Sequence, residues 1–342
     1  MAKTRVVGLD LGSRAVRAAE IELSGGRGNA PRLVKFGEEP LDAGAMRDGE
    51  VARAGAVTAA VRSLWKRERF STRSVVLGVG NQRVFVRELN LPAMPLDQLR
   101  GSLRYAPVQD LLPVAVEECL LDFHPVSLAG DGTVDGMLIA APEETVEANT
   151  SAVAAAGLTP SRVDLNAFAL ARSLVHGPLA QEVVGVVDIG SNITDIVVTD
   201  QGLLRQYRTL PTGSDDLTHA VQQAMAVSEQ QAEQVKRSVG VAPAQNPELV
   251  PAQETMRRRI QSLGESIRAS FSFYTGSTGR PLNRVLLTGR GSLVPGLGQQ
   301  LATQLGVPMA FGQTVVGPNA GVAADRQPVL PVAVGLAQGV AA

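Results

Sequence analysis

The chain has 342 residues, 44% hydrophobic and 19% charged, with 32 basic and 33 acidic side chains and a net charge of −1. That length exceeds one typical core, so two lobes are expected, and the even charge balance excludes the clustered basic excess of a nucleic-acid binder. A lone cysteine, Cys119, excludes a disulfide framework and a multi-cysteine metal site, and His124, His176 and His219 are too scattered to give metal-ligand spacing.

The opening residues, MAKTRVV, carry no apolar leader, and no run approaches the roughly 18 apolar residues that span a bilayer. A cytoplasmic protein is expected. Residues 6–10 read as a strand. After a turn at Gly12 and Ser13, Ala19, Ile21 and Leu23 alternate with Glu20 and Glu22, the period of a half-buried strand. Gly25–Asn29 reads as a hairpin loop and residues 32–36 as a third strand. Residues 51–66 predict a helix with Val57, Val61, Leu64 and Trp65 inward. Residues 74–79, SVVLGV, predict a buried strand, with extended chain through 81–89.

Leu91-Pro92-Ala93-Met94-Pro95 reads as a linker, followed by a short helix over 96–105. Residues 105–113 hold Pro107 and Pro113. Strands are expected at 116–125 and 136–141, joined by a turn at Ala129–Gly132. A helix over 143–156 ends at Gly157 in a left-handed cap. This stretch reads as an inserted αββα module. Residues 163–175 predict a helix leading into a second half of the chain.

That half opens on VVGVVDIGSNITDIVVT at 183–199, an apolar strand, a tight turn and a second strand. Gly190 lets a phosphate approach without a Cβ in the way. Ser191, Asn192 and Thr194 add donors to the turn's amides, and Asp188 suits a hydrated Mg²⁺. The device occurs twice: VVGLDLGS at 6–13 places Asp10, Gly12 and Ser13 in the same order. A strand follows at 203–210, then helices from Gly213-Ser214 to Met225 and beyond Ser228. Residues 239–251, with Pro243, Asn246 and Pro247, form a loop. Met256, Ile260, Leu263, Ile267, Phe271 and Tyr274 mark the clearest amphipathic helix, and Arg257–Arg259 read as its solvated side. A strand at 284–288 runs into Gly289-Arg290-Gly291-Ser292, whose glycines let a flat ring lie on the backbone. Helices are expected at 295–305 and 331–341.

Two phosphate hairpins followed by a glycine shelf resemble the actin/Hsp70/sugar-kinase ATPase superfamily across nearly the whole chain. Within it the sequence is most similar to the PilM family of type IV pilus assembly, relatives of the division protein FtsA. The matching segments are GLDLGSRAVR at 8–17, LPAMPLDQLR at 91–100, AAAGLTPSRVDLNAFALARSL at 154–174, VDIGSNITDI at 187–196 and LLTGRGSLVPGL at 286–297.

The resemblance implies an α/β, actin-like ATPase fold, with two lobes around a nucleotide cleft and a small inserted FtsA/PilM-type subdomain. The implied divisions are 1–87 for the first lobe, 88–157 for the insert and 158–184 for the returning helix. The second lobe spans 185–325, and residues 326–342 form a helix packed on the first lobe. The implied ligand is ATP with Mg²⁺. Asp10 and Asp188 would hold the metal's hydration shell. Gly12, Ser13, Arg14, Gly190, Ser191, Asn192 and Thr194 would surround the phosphates. Glu233 and Lys236 would reach the ribose and base, with Gly289, Arg290, Gly291 and Ser292 as the adenosine shelf. Arg290 stands where relatives carry a glycine. Asn166 takes the position of a water-orienting Glu or Gln and cannot act as a base, so binding with slow hydrolysis is expected.

The implied partner is the cytoplasmic tail of a PilN-like inner-membrane protein, which would place this chain at the inner face of the cytoplasmic membrane. Two alternatives belong to other classes. One is an FtsA-like division actin, but no charged residue follows Arg326 to make a basic membrane helix. The other is a small-molecule kinase, for which no catalytic carboxylate is evident.

Overall fold

The structure, a computed structural model, describes residues 4–23, 31–105, 108–128, 130–242, 246–316 and 322–339. The loop expected at Gly25–Asn29, along with Pro107, Ala129, Pro243 and the end of the last helix, lies outside the described residues.

The first lobe begins with β1 (Thr4–Leu11), β2 (Ala15–Leu23) and β3 (Arg32–Pro40), an antiparallel meander. A small hairpin follows, β4 (Met46–Arg47) and β5 (Glu50–Val51). Helix α1 (Ala54–Glu68) buries Val57, Val61 and Leu64 and returns the chain to β6 (Ser74–Val79), parallel to β1. Trp65 packs on Phe70 and donates its indole N–H to Thr72 O at 3.0 Å.

Next comes the insert. Strand β7 (Phe85–Pro92), helix α2 (Leu96–Ser102), β8 (Cys119–Leu128) and β9 (Thr133–Pro142) form a three-stranded sheet in the order β7-β9-β8. Its own core gathers Leu99, Leu103, Phe123 and Leu138, with Cys119 as a small buried hydrophobe. Helix α3 (Glu143–Ala155) ends at Gly157, whose φ of +86° only glycine adopts readily.

Helix α3 corrects the αββα reading. It packs on α1, its Ala152 and Val153 joining the first lobe's core, while β7 supplies the sheet's missing strand. Leu91 and Pro92 therefore end a strand rather than form a linker. Residues 81–83 make a turn instead of continuing the strand, because Asn81 Oδ1 accepts from the Arg83 amide at 2.8 Å.

The helix expected over 163–175 is divided. Strand β10 (Thr159–Leu165) pairs in parallel with β6 at the sheet edge, and α4 (Asn166–Leu174) begins only afterwards. The completed first sheet runs β10-β6-β1-β2-β3.

The second lobe repeats this order. Strands β11 (Val183–Ile189), β12 (Thr194–Asp200) and β13 (Leu203–Leu210) form a meander. Three helices follow: α5 (Ser214–Met225), α6 (Glu229–Ser238) and the 29-residue α7 (Val250–Thr278). Ser228 caps α6 in a capping box with Gln231. Strand β14 (Arg284–Thr288), helix α8 (Leu297–Leu305) and β15 (Met309–Phe311) complete a sheet ordered β13-β12-β11-β14-β15. In both sheets an antiparallel meander adjoins parallel strands reached through helical crossovers.

Strand β2 is covered on both faces, so the half-buried alternation does not hold. Glu20 is fully buried, accepts from the Ser71 hydroxyl and amide, and lies 3.5 Å from Arg5. Glu22 lies 3.3 Å from Arg32. Buried carboxylates persist when so paired.

The last helix, α9 (Pro331–Gln338), packs against β1, β2 and α4. One apolar cluster joins Leu170 and Leu174 of α4, Val334 and Leu336 of α9, and Val184, Val186 and Val197 of the second sheet. It is the hinge between the lobes. Backbones meet closely there: a Cβ on Gly335 would lie 1.9 Å from Ala169 O. Gly335→Ala should therefore cost about 1–3 kcal/mol, the usual penalty of overpacking. Gly276→Ala, on an open face of α7, should be neutral or stabilising through helix propensity. Urea titration of the two variants checks the contrast.

Candidate functional site

Both phosphate-type turns are built alike. Gly12 N–H donates to Ala15 O at 3.1 Å, and Gly190 N–H to Ile193 O at 2.9 Å. The N-terminus of α5 braces the second turn, since the Ser214 and Asp215 amides donate to Gly190 O and Ser191 O, each at 2.9 Å. The two turns face each other. Asp10, Gly12, Ser13, Arg14, Asp188, Gly190 and Ser191 line one inner pocket of about 70 Å³, with Asn166, Asp195, Gly289 and Arg290. Beyond it opens a cleft of about 1110 Å³, walled by β3 and α1 on one side and α5 and α6 on the other.

Cross-strand partners set the electrostatics. Asp10 stands opposite Arg17 on β2, whereas Asp188 stands opposite a second carboxylate, Asp195, on β12. Burial raises Asp10 above the ordinary carboxylate range, and Arg17, 3.4 Å away, opposes the rise. Burial, then Asp195 and Asp10, push Asp188 up to about 8. Asp195 is raised by burial to about 6 although Thr209 and Tyr207 donate to it at 2.7 and 3.0 Å.

Asn166, the first residue of α4, points its side chain at Gly78 and Gly80, where any Cβ would collide with it. Its Oδ1 is buried without a hydrogen-bond partner. That oxygen faces Gly78 and Leu336, off the pocket wall, whereas Asp10 and Asp188 line the pocket and fit a hydrated divalent cation. Among the described residues no group of three or more His, Cys, Asp or Glu could hold a bare metal, so water and phosphate oxygens would complete the shell.

Several expected residues serve other purposes. Thr194 is fully buried and donates to Thr212 O at 2.8 Å, so it is not a phosphate donor. Asn192 is exposed at the hairpin tip and is not on the pocket wall. Gly291 packs on Ile189, and Ser292 donates to Gly289 O at 2.6 Å, closing the loop. Gly289 (φ +81°) lies so close to Asp188 that a Cβ would sit 2.5 Å from its carboxylate. Glu233 and Lys236 line the outer cleft. Lys236 is buried, 2.6 Å from Glu233 and 3.1 Å from Ser214 O. Burial disfavours ionisation of Glu233, yet Lys236, Thr218 and Arg237 hold it at about 2.

A model of the "Type IV pilus assembly protein PilM" family matches residues 8–337. The chain belongs to the PilM family. Its fold superposes on that of a PilM–PilN type IV pilus biogenesis complex with a TM-score of 0.83 and 25% identity, covering 99% of both chains. The fold is also shared with the ethanolamine utilization protein EutJ of Carboxydothermus hydrogenoformans (TM-score 0.57, 16% identity, 98% and 90% covered). A further match is MreB5 of Spiroplasma citri bound to AMPPNP (TM-score 0.57, 12% identity, 97% and 94% covered). By sequence, FtsA of Bacillus subtilis is 22% identical over 193 residues, 51% of this chain and 44% of FtsA. The chain thus matches less than half of that relative's length. The actin-like ATPase fold expected from the hairpins is the fold of this PilM-family chain.

Sequence reading missed Glu38, Asp215 and Glu229, which bind the cleft arginines across the lobes. No local pattern marks them. Asp195 carried a signal: it occupies the same place in the second hairpin as Arg17 in the first.

Asp188 yields a pH prediction. The folded chain holds its proton up to about 8, whereas the unfolded carboxyl loses it near 3.8. Unfolding therefore releases a proton across that window, and this group's contribution to stability falls as pH rises. In EDTA, Asp188→Asn should be more stable than the parent at pH 8 and show a shallower decline of Tm between pH 5 and 8. An identical slope in thermal scans would remove the assignment.

Proposed function

We propose that this PilM-family protein binds ATP with Mg²⁺ between its lobes and presents its insert to the cytoplasmic tail of a PilN-like membrane protein. The observation that carries the nucleotide half is the convergence of Asp10 and Asp188, from two separate hairpins, on one pocket beneath a wide cleft. MreB5 of the same fold is bound to AMPPNP, which agrees with this reading. Asp10 and Asp188 would hold the hydrated metal, which neutralises phosphate charge. Ser13, Ser191 and the turn amides would meet the phosphates, and the Gly289 loop the base. Asn166 would orient a water. An amide cannot take its proton, so this chain acts as a nucleotide-held assembly part with slow turnover.

The partner half rests on the likeness to a PilM–PilN complex. Strand β8 is an edge strand of the insert, with Leu120 and Leu128 exposed along it. Pro125 stands opposite Gly136, and the ladder is irregular between it and Ser127, as edge strands permit. An extended tail can add beside such a sheet through main-chain hydrogen bonds. No helix among the described residues is long and apolar enough to cross a membrane, so a membrane-anchored partner would supply the attachment, at the inner face of the cytoplasmic membrane.

Mg·ATP at 100 times its Kd should stabilise the parent by about 2.7 kcal/mol. Asp188→Asn and Asp10→Asn should each lose that ligand-induced gain in thermal shift, whatever their stability without ligand. An undiminished gain in both would remove the metal assignment. A synthetic PilN-like tail peptide should slow hydrogen exchange within residues 85–142. Protection confined to the second lobe would overturn the partner half.

A further inference from the structure

Arg14, Arg17 and Arg290 stand where the inner pocket opens into the outer cleft and line both. All three are held by carboxylates, and two of the contacts cross between lobes in opposite directions. Arg14, on the first lobe's β1–β2 turn, reaches Asp215 of α5 at 2.7 Å and Glu229 of α6 at 2.8 Å. Arg290, on the second lobe's loop, reaches back to both oxygens of Glu38 on β3, at 2.6 and 2.7 Å. Glu38 also accepts from Arg17 at 3.1 Å, and Arg17 lies 3.4 Å from Asp10. The second contact therefore runs from the cleft mouth into the acidic pocket.

These contacts differ in kind from the apolar hinge of α4 and α9, whose residues Asn166, Pro331 and Val332 line the same inner pocket. The hinge is a packed core that holds one geometry. The contacts at the cleft are ion pairs whose arginines are partly exposed, 32% at Arg14 and 28% at Arg290, so that water and salt reach them. An ion pair across the cleft ties one lobe to the other, and a partly exposed guanidinium can exchange one anionic partner for another.

We propose that Arg290–Glu38 and Arg14–Asp215/Glu229 form a charged clasp across the cleft, and that the phosphates of an entering nucleotide compete with these carboxylates for the same guanidinium groups. Arginine pairs as readily with phosphate as with carboxylate, in the same forked geometry. Lobe closure by the clasp and lobe closure by a nucleotide are then alternatives. The first half of the proposal concerns the protein alone, and the second rests on the nucleotide reading above.

The test uses the full chain in a Cys119→Ser background, spin-labelled through Lys66→Cys on α1 and Arg258→Cys on α7, both exposed. Electron–electron distance measurement without ligand should give a longer, broader inter-lobe distance in Glu38→Gln and in Arg290→Gln. The double variant should exceed neither single, because one interaction is lost in all three. Raising KCl should lengthen the parent distance and move the double variant less, a response that mere loss of packing would not give. Mg·ATP carrying a fluorescent ribose label should associate several-fold faster with Glu38→Gln, which frees the guanidinium, and should show no such gain with Arg290→Gln, which removes it. Ligand-free distances equal in parent and variants, with no salt response, would overturn the clasp even if Mg·ATP binds tightly. Lengthened distances in proteins that take up no Mg·ATP would uphold the clasp and remove the nucleotide reading.

Discussion

The constraint that organises this molecule is the gathering of carboxylates out of water. Asp10, Asp188 and Asp195 come from three strands in two sheets; Asp10 raises the cost of ionising both others, and Asp195 raises that of Asp188. Proteins do not bury like charges at one point without something to neutralise them, a proton, a guanidinium or a cation. All three remedies have a place here. Asp188 keeps a proton at neutral pH, and Asp10 leans on Arg17. The geometry left between them suits a hydrated metal. The difference between the hairpins follows from one cross-strand position, Arg17 in the first and Asp195 in the second.

Holding those carboxylates in register requires the lobes to be joined at a fixed point. Helices α4 and α9 supply it, and they do so with small residues. Gly8 of β1 accepts the backbone of α9 at a distance where a Cβ would lie 2.1 Å from Ala333 O. Gly335 lets α9 lie equally close to Ala169 of α4. Asn166 heads α4 and lines the pocket, so the element that forms the hinge also supplies part of the pocket wall. A shift of α4 would move the hinge and the site together.

The sequence announces what is local and repeated. The β-branched runs at Val183–Ile189 and Ser74–Val79, the paired Asp-x-Gly-Ser turns and the apolar spacing of α7 all appear as read. The readings that failed needed information from distant chain. Residues 163–165 read as the start of a helix, and only pairing with β6 makes them the end of a strand. Glu20 and Glu22 look solvent-facing until Ser71, Arg5 and Arg32 arrive to cover and pair them. Thr194 looks like a phosphate donor until the Thr212 carbonyl is seen to accept its hydroxyl hydrogen bond. Glu38 and Arg290 stand 252 positions apart, and nothing near either residue signals the other.

Arg290 illustrates how a departure from a pattern acquires a physical meaning only in three dimensions. As a replacement for a glycine in a loop that must approach a ring, it reads two ways, as a side chain pointing outward or as one narrowing the base pocket. In the fold its side chain leaves the loop and ends on Glu38, so the flat backbone of the loop is preserved by Gly289 and Gly291 while the side chain works elsewhere. The same position that could narrow the base pocket instead ties the second lobe to the first. Burial disfavours ionisation of Glu38, yet Arg17 and Arg290 together keep its carboxylate below the ordinary range. That charge holds Arg17 on the side facing Asp10. The loop of the second lobe and the acidic pocket are therefore linked through one carboxylate on β3.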